Sequence, residues 1–347
     1  MIGVGYWGPN LIRNFSDLDE AQVVACSDLS QERLNKVAKR YPGVKCTQDY
    51  LELLADPTVD AVVIATPVST HYPIGKAALE AGKHVMIEKP IADSSEHALD
   101  LVETAERLGL ILMVDHTFIY TSAVRKMREL VDSGDLGDIL YFDSIRVNLG
   151  LFQKDINVIW DLAPHDLSIM DYLLRAEPIA VSAIGASHAG NDIANIAYMT
   201  LRFPENVIAH FHVNWLAPVK IRQTLLGCSK KMVVYDDVEP TDKIRVYDKG
   251  IVVNGGNGNG NGSAEKRYQA MVGYRTGDVL IPKIDTTEAL QRVAKEFVSS
   301  ITEKRAPLTD GMAGYRVVRY LEAAQRSLEA NGREVVLEEP VEVLVRS

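Results

Sequence analysis

A chain of 347 residues suggests about two domains, and 47% apolar with 24% charged residues is a composition that can bury a core. The net charge of -10 argues against nucleic acid as the main partner, because phosphate binding needs clustered Lys and Arg. No apolar run reaches the roughly 20 residues of a membrane helix, and Cys26, Cys46 and Cys228 form no CxxC pair. A disulfide framework and a metal site are therefore not expected, and a reducing cytoplasm without a secretory leader is the expected compartment.

Only Met1 and Ile2 stand ahead of Gly3, so the first strand is expected to be short. Gly8 to Phe15 opens a helix, and Val23 to Ser27 reads as a buried strand. Gln31 to Arg40 is a helix with Ser30 as its N-cap, and Asp49 to Leu54 is a short one. Ala61 to Ala65 is a continuous apolar strand, as expected when both faces are covered. A helix over His71 to Ala81 stops at Gly82, a favoured residue for ending helices. Strand His84 to Ile87, helix Ser94 to Leu108, Gly109 and strand Leu110 to Val114 follow. This alternation implies βαβ units and a doubly wound parallel sheet over residues 1–119.

From residue 120 the pattern changes, and 120–347 is expected to form a second α/β domain. Helix Ala123 to Ser133, the long strand Ile139 to Leu149 and helix Pro164 to Leu174 come first. Strands without intervening helices then run Ala180 to Ala186, Ile193 to Phe203, Val207 to Trp215, Lys220 to Leu226, Lys231 to Tyr235 and Lys243 to Tyr247. Such a run means an antiparallel sheet with one covered face. A second subunit would cover the other face. Gly255 to Gly262 reads as a flexible Gly/Asn loop. Helices Thr287 to Thr302 and Gly311 to Ala330 are expected to pack back on the body, and Glu334 to Val345 has strand character.

Gly3-Val4-Gly5-Tyr6-Trp7-Gly8 matches GxGxxG, the turn with which a Rossmann domain brings backbone close to a pyrophosphate. The helix after it offers free N–H groups to the phosphates, and Pro9 in its first turn costs little. Asp28 follows the second strand about 20 residues on, where a carboxylate accepts hydrogen bonds from a ribose diol and repels a 2′-phosphate. NAD is therefore expected over NADP. Arg33, on the next helix, reads as too far away to reverse that preference. The alternative for Asp28 is a helix-capping or turn aspartate.

Glu88-Lys89-Pro90 stands at the end of a parallel strand, where ligands of open sheets bind, so Lys89 would point into the cleft. Asp161 and His165 are four apart near Pro164 and can face one cavity. There a histidine can exchange a proton near neutral pH while a carboxylate orients it. Each alone has an ordinary structural explanation.

Taken together, GVGYWGPN, AVVIATP followed by His71, AGKHVMIEKP and WDLAPHD resemble the Gfo/Idh/MocA oxidoreductases through most of the chain and in the same order. GYWGPN and WDLAPHD are most similar to the branch acting on nucleotide-linked sugars, the nucleotide-sugar 3-dehydrogenases. The resemblance implies a C-terminal α/β domain built on an open, mostly antiparallel sheet that makes a homodimer or homotetramer. It also implies Thr66, Pro67, His71 and Glu88 near the cofactor, Lys89 as a catalytic or substrate-orienting lysine, and Asp161 and His165 as substrate-binding and acid–base residues.

The expected reaction is reversible oxidation of a secondary alcohol on a sugar. His165 would take the hydroxyl proton and Lys89 would stabilise the oxygen, though the two could exchange roles. Tyr120, Arg146 and Asn148 are further candidates for substrate contact, against packing roles. A free polyol such as an inositol, or a catalytically silent NAD-binding sensor, are the competing readings.

Overall fold

In the computed structural model, which describes residues 1–150, 156–188, 193–253 and 272–338, the N-terminal third is a parallel sheet held together at Ile2. Strands β3 (Ala61–Ile64), β4 (His84–Glu88) and β5 (Leu112–Asp115) pair in parallel, as do β1 (Ala25–Ser27) and β2 (Lys45–Thr47). Ile2 bridges Ile64 on one side and Ser27 on the other. Its N–H donates to the Val63 carbonyl and the Gly3 N–H to the Ser27 carbonyl, both at 2.8 Å. The expected short first strand is thus one bridging residue. Strand β2, polar and at the edge, was not read from the sequence, because its Lys-Cys-Thr carries no apolar pattern.

Helices α1 (Gly8–Ser16), α2 (Gln31–Arg40), α3 (Leu51–Ala55), α4 (His71–Glu80) and α5 (Ser95–Leu108) connect these strands. Ser30 and Ser94 cap α2 and α5 by accepting from the Arg33 and His97 N–H groups. Gly109 ends α5 in the left-handed conformation, at φ 66°.

The rest of the chain forms α6 (Ser122–Asp132), β6 (Ile139–Leu149), α7 (Val158–Leu174), β7 (Ala180–Ala186), β8 (Ile196–Arg202), β9 (Ile208–Asn214), β10 (Leu216–Cys228), β11 (Met232–Asp236), β12 (Ile244–Tyr247), β13 (Gly250–Val253), β14 (Val272–Arg275), β15 (Val279–Leu280), α8 (Ala289–Glu303), α9 (Gly311–Glu329) and β16 (Val335–Val336). Nine strands make one sheet in the order β15-β12-β11-β10-β6-β9-β8-β7-β16, antiparallel except where β6 meets β9. The architecture is α/β: a Rossmann-type parallel sheet followed by a mostly antiparallel one.

Alternation explains which face is covered. Ala197, Met199 and Leu201 of β8 and Ala209, Phe211 and Val213 of β9 are buried with Leu167, Met170, Tyr320 and Ala324 of α7 and α9. On the opposite face Tyr198 stacks on His212 at 4.5 Å between ring centroids, with Ile184 and Ile208 exposed nearby. Helix α9 serves both sheets. Tyr315 and Val318 sit in the core with Leu101 and Leu112, while Val317, Tyr320 and Leu321 sit in the other. Helix α8 packs on α1 through Phe297 against Phe15, and Glu288, which precedes it, holds Arg13.

One helix boundary needs correction. Helix α7 begins at Val158, capped by Asn157, and carries Pro164 inside it rather than at its start. The Gly255–Gly262 loop lies outside the described residues, as does the chain beyond Glu338. Among the described residues, no helix is long and apolar enough to cross a membrane, and no group of three or more His, Cys, Asp or Glu is placed to hold a metal.

Candidate active site

The glycine turn is shaped by close approach. Gly3 has φ +88°, and a Cβ there would lie 2.5 Å from the Ala65 carbonyl oxygen; a Cβ on Gly8 would lie 2.5 Å from that of Gly3. Gly5 differs, since its nearest neighbour would be the Arg33 guanidinium at 3.6 Å. Gly5 therefore leaves the backbone bare beside that guanidinium, at the mouth of a helix that no side chain caps, which fits a pyrophosphate. Tyr6 and Trp7 flank that mouth and are exposed.

Asp28 does two jobs. Its Oδ2 accepts from the Val4 N–H at 2.9 Å and its Oδ1 from the Ser30 N–H at 2.8 Å, so it braces the turn as well as ending the strand. Arg33 is not too far away, as its sequence position suggested: its guanidinium stands 3.6 Å from Asp28 Oδ2, because one turn of α2 brings it back over the loop.

The loops after β3 and β4 are tied together by His71. Buried in the first turn of α4, its ring nitrogens contact the Thr66 and Pro90 carbonyl oxygens, each at 2.8 Å. Burial pulls its pKa down, and the two carbonyls pull it back up. Thr66 also accepts a hydrogen bond from the Thr70 hydroxyl, and Pro67 leads into that turn.

Glu88 ends β4, and Lys89 follows it. Glu88 is in register with Asp115 of β5. Burial first, then the charge of Asp115, holds the Glu88 carboxyl well above the usual range, and burial lifts that of Asp115 to about 6. Lys89 reaches across to α7, where its Nζ donates to the Asp161 carbonyl oxygen at 2.9 Å. Pro164, inside that helix, has no N–H to offer the Trp160 carbonyl four residues back. Burial lowers the Lys89 pKa, against Asp161 and Glu88, which raise it.

His165 lies one turn beyond Asp161, its ring edge-on to Phe118 at 5.0 Å. Burial and the positive charges of Lys89, Arg146 and Arg222 hold its pKa well below the ordinary value, so its ring is neutral near pH 7. The Asp161 carboxylate does not hold His165; its Oδ2 accepts from the Trp215 indole N–H at 2.9 Å. Arg146 is buried over the Phe118 ring and bound through two hydrogen bonds to Asp166, at 2.7 and 2.9 Å. Asn148 is half-buried further along β6. Tyr120 is brought elsewhere: it is buried in the core with its hydroxyl 3.0 Å from that of Thr309, which is a packing role.

Residues 1–116 match the oxidoreductase family described as an NAD-binding Rossmann fold, and residues 124–234 match the GFO/IDH/MocA C-terminal domain. The chain belongs to the Gfo/Idh/MocA family. This oxidoreductase is 28% identical to a UDP-N-acetylglucosamine 3-dehydrogenase of Acidithiobacillus ferrooxidans, over 92% of its own length and 93% of the relative's. A solved structure of that enzyme superposes with a TM-score of 0.79 at 25% identity, over 95% and 96% of the two chains. A myo-inositol 2-dehydrogenase of Thermotoga maritima is 24% identical over 98% of both chains. The structure of GenD2 from gentamicin A biosynthesis, solved with NAD, has a TM-score of 0.80 at 23% identity, over 97% and 95%.

In this family member the cleft combines an ammonium, a neutral imidazole and a glycine turn open to a dinucleotide. Sequence reading missed Asp115, His116, Phe118, Asp166 and Trp215. The rule that ligands gather at the carboxyl ends of parallel strands, applied to β5 as it was to β4, points to Asp115 and His116. Nothing local marks Asp166 or Trp215, whose partners lie 20 and 54 residues away.

Proposed function

We propose that this oxidoreductase oxidises, reversibly, a secondary alcohol on the ring of a sugar, with NAD as the acceptor and a nucleotide-linked sugar as the substrate. The observation that carries the reading is the convergence of Lys89 and a neutral His165 at the mouth of the parallel sheet. Bound NAD supplies the hydride-accepting nicotinamide. The bare backbone at Gly5, the uncapped start of α1 and the Asp28 carboxylate would hold it.

The chain's own residues handle the proton and the charge. His165, kept neutral by burial and by the cations around it, accepts the hydroxyl proton. Lys89, anchored on the Asp161 carbonyl, donates to the same oxygen and stabilises the negative charge that develops there. Asp161, oriented by Trp215, receives a neighbouring hydroxyl. Asn148 contacts the ring from β6, while Arg146, fixed by Asp166, acts through its charge on His165.

The relatives named for a UDP-sugar and for an inositol support the substrate class at similar identity. The WDLAPHD segment favours the first. The division near residue 119, and a homodimer or homotetramer built through the open sheet face bearing Ile184, Tyr198 and Ile208, belong to the same proposal.

The test is absorbance of reduced nicotinamide with NAD against UDP-sugars, free hexoses and inositols. Reduction with a UDP-sugar alone supports the reading. Reduction with inositol alone moves the substrate to a free polyol. Silence across the panel despite tight NAD binding supports the sensor.

A further inference from the structure

Next to the site lies a histidine that the mechanism above does not use. His116, the residue after β5, is 1% exposed, and among the described residues neither of its ring nitrogens has a hydrogen-bond partner. A buried, unsatisfied imidazole is costly, so a protein that keeps one has a use for it or a water on it.

Its surroundings supply both. His116 follows Asp115, the register partner of Glu88, and Lys89 is the residue after Glu88. On another side it lines a cavity of about 200 Å³ with Ser168, Asp171 and Arg175 of the α7 region, Thr309, and Arg316 of α9. Ile119, Leu308, Ala313 and Val317 make the rest of the lining apolar, so waters entering this space are held on the side made by Ser168, Asp171, Thr309 and Arg316. Ser168 links this wall to the catalytic turn, because its hydroxyl donates to the His165 carbonyl at 2.7 Å. The charges acting on the His116 ring are those of Lys89 and Arg316, and it in turn acts on His165. Asp171 is already engaged by Arg316, so no carboxylate in the cavity claims the imidazole.

We infer that His116 and this cavity form the proton exit of the active site. The inference rests on the oxidation proposed above. In that reaction the alcohol and the oxidised nicotinamide dinucleotide give ketone, reduced dinucleotide and one proton. His165 takes the proton from the hydroxyl, and the same neighbours that keep it neutral make it shed the proton quickly. No hydrogen bond joins His165 to His116, so a water carries the proton between them: one nitrogen of His116 accepts it while the other releases its own to a water of the cavity, and so to solvent. A neutral imidazole has one donor and one acceptor nitrogen, which is what a relay needs. Burial with Lys89 and Arg316 holds the His116 pKa down to about 3, so the ring passes the proton on rather than storing it.

The experiment is a single turnover of the whole enzyme with NAD and its sugar, following reduced nicotinamide by absorbance and the released proton with an indicator dye. In the wild type the two signals rise together. In His116→Phe, proton release is expected to fall at least tenfold and to acquire a larger solvent deuterium isotope effect, while NAD affinity stays unchanged. The thermal midpoint should not fall, since an unsatisfied polar ring has been removed. Free imidazole should restore the rate in His116→Ala with increasing concentration. Proton release at the wild-type rate in His116→Phe overturns the relay, as does a slowed His116→Ala that imidazole leaves slow. No reduction of NAD by the wild type with any sugar overturns the oxidation reading, and the relay with it, and is distinguishable because no variant is needed to see it.

Discussion

The two walls of the cleft are made of different material. The glycine wall is backbone: Gly3 and Gly8 are fixed by contacts that leave no room for a Cβ, and Asp28 braces the turn through main-chain N–H groups. The opposite wall is side chain: Lys89 from one sheet is held by a carbonyl of α7, and His165 is tuned by cations from β6 and β10. A backbone wall should break by losing shape, a side-chain wall by losing charge with the shape intact. Lys89→Ala is the sharpest way to separate them, and the largest effect we expect. Turnover should fall by about 10³-fold, since an electrostatic donor at the reacting oxygen is removed. NAD binding, measured by fluorescence quenching, should stay within about twofold. Equal loss of both would erase the distinction.

Gly3→Ala attacks the other wall. The substitution forces an L side chain to φ +88° and places Cβ 2.5 Å from the Ala65 carbonyl oxygen. A cost of about 1–3 kcal/mol in stability is expected, together with weaker NAD binding. The fall in turnover at saturating NAD should be much smaller than in Lys89→Ala. Calorimetry and an NAD titration check both halves.

The same contrast governs what could be read without coordinates. GxGxxG, the spacing to Asp28 and the apolar strands are local patterns, so the parallel sheet and its glycine turn were legible, down to the N-cap at Ser30. The run of strands without intervening helices likewise announced an antiparallel sheet with one covered face. What failed was pairing between distant residues. Pro164 read as a helix start because a proline there usually is one; the helix begins instead at Val158, after the Asn157 cap, and continues through the proline. Asp161 read as the partner of His165 because they are four apart, yet Trp215, on a strand end, takes its carboxylate. Arg33 read as remote for want of the loop's return over α2.

A smaller effect concerns the floor between the walls, where Glu88 and Asp115 face each other. Burial raises the folded-state pKa of Asp115 from 3.8 to about 6. A raised carboxyl favours the fold while both states are protonated and weighs against it as pH rises through the folded value. Asp115→Asn should therefore raise the thermal midpoint by a few degrees at pH 8 and by less at pH 5. Unfolding scans across that range measure it, and a gain that is larger at pH 5 than at pH 8 would remove the carboxyl pair from the account.

The smallest expected effect tests where the two materials meet, at the rim of the glycine wall. Arg33 is 55% exposed at its side chain and 3.6 Å from Asp28, so the pair is largely solvated and contributes little to stability. Its placement matters more for the ribose. Asp28 alone should repel a 2′-phosphate, and a guanidinium beside it offsets part of that repulsion. Arg33→Ala is expected to leave the NAD affinity within about twofold while weakening NADP several-fold. Asp28→Asn should do the reverse to the ratio, narrowing it by improving NADP, at some cost to the turn that Asp28 braces. Competition titrations of both dinucleotides read the ratio directly. If Arg33→Ala weakens both cofactors equally, Arg33 serves the shape of the wall rather than its charge, and the rim belongs with the backbone.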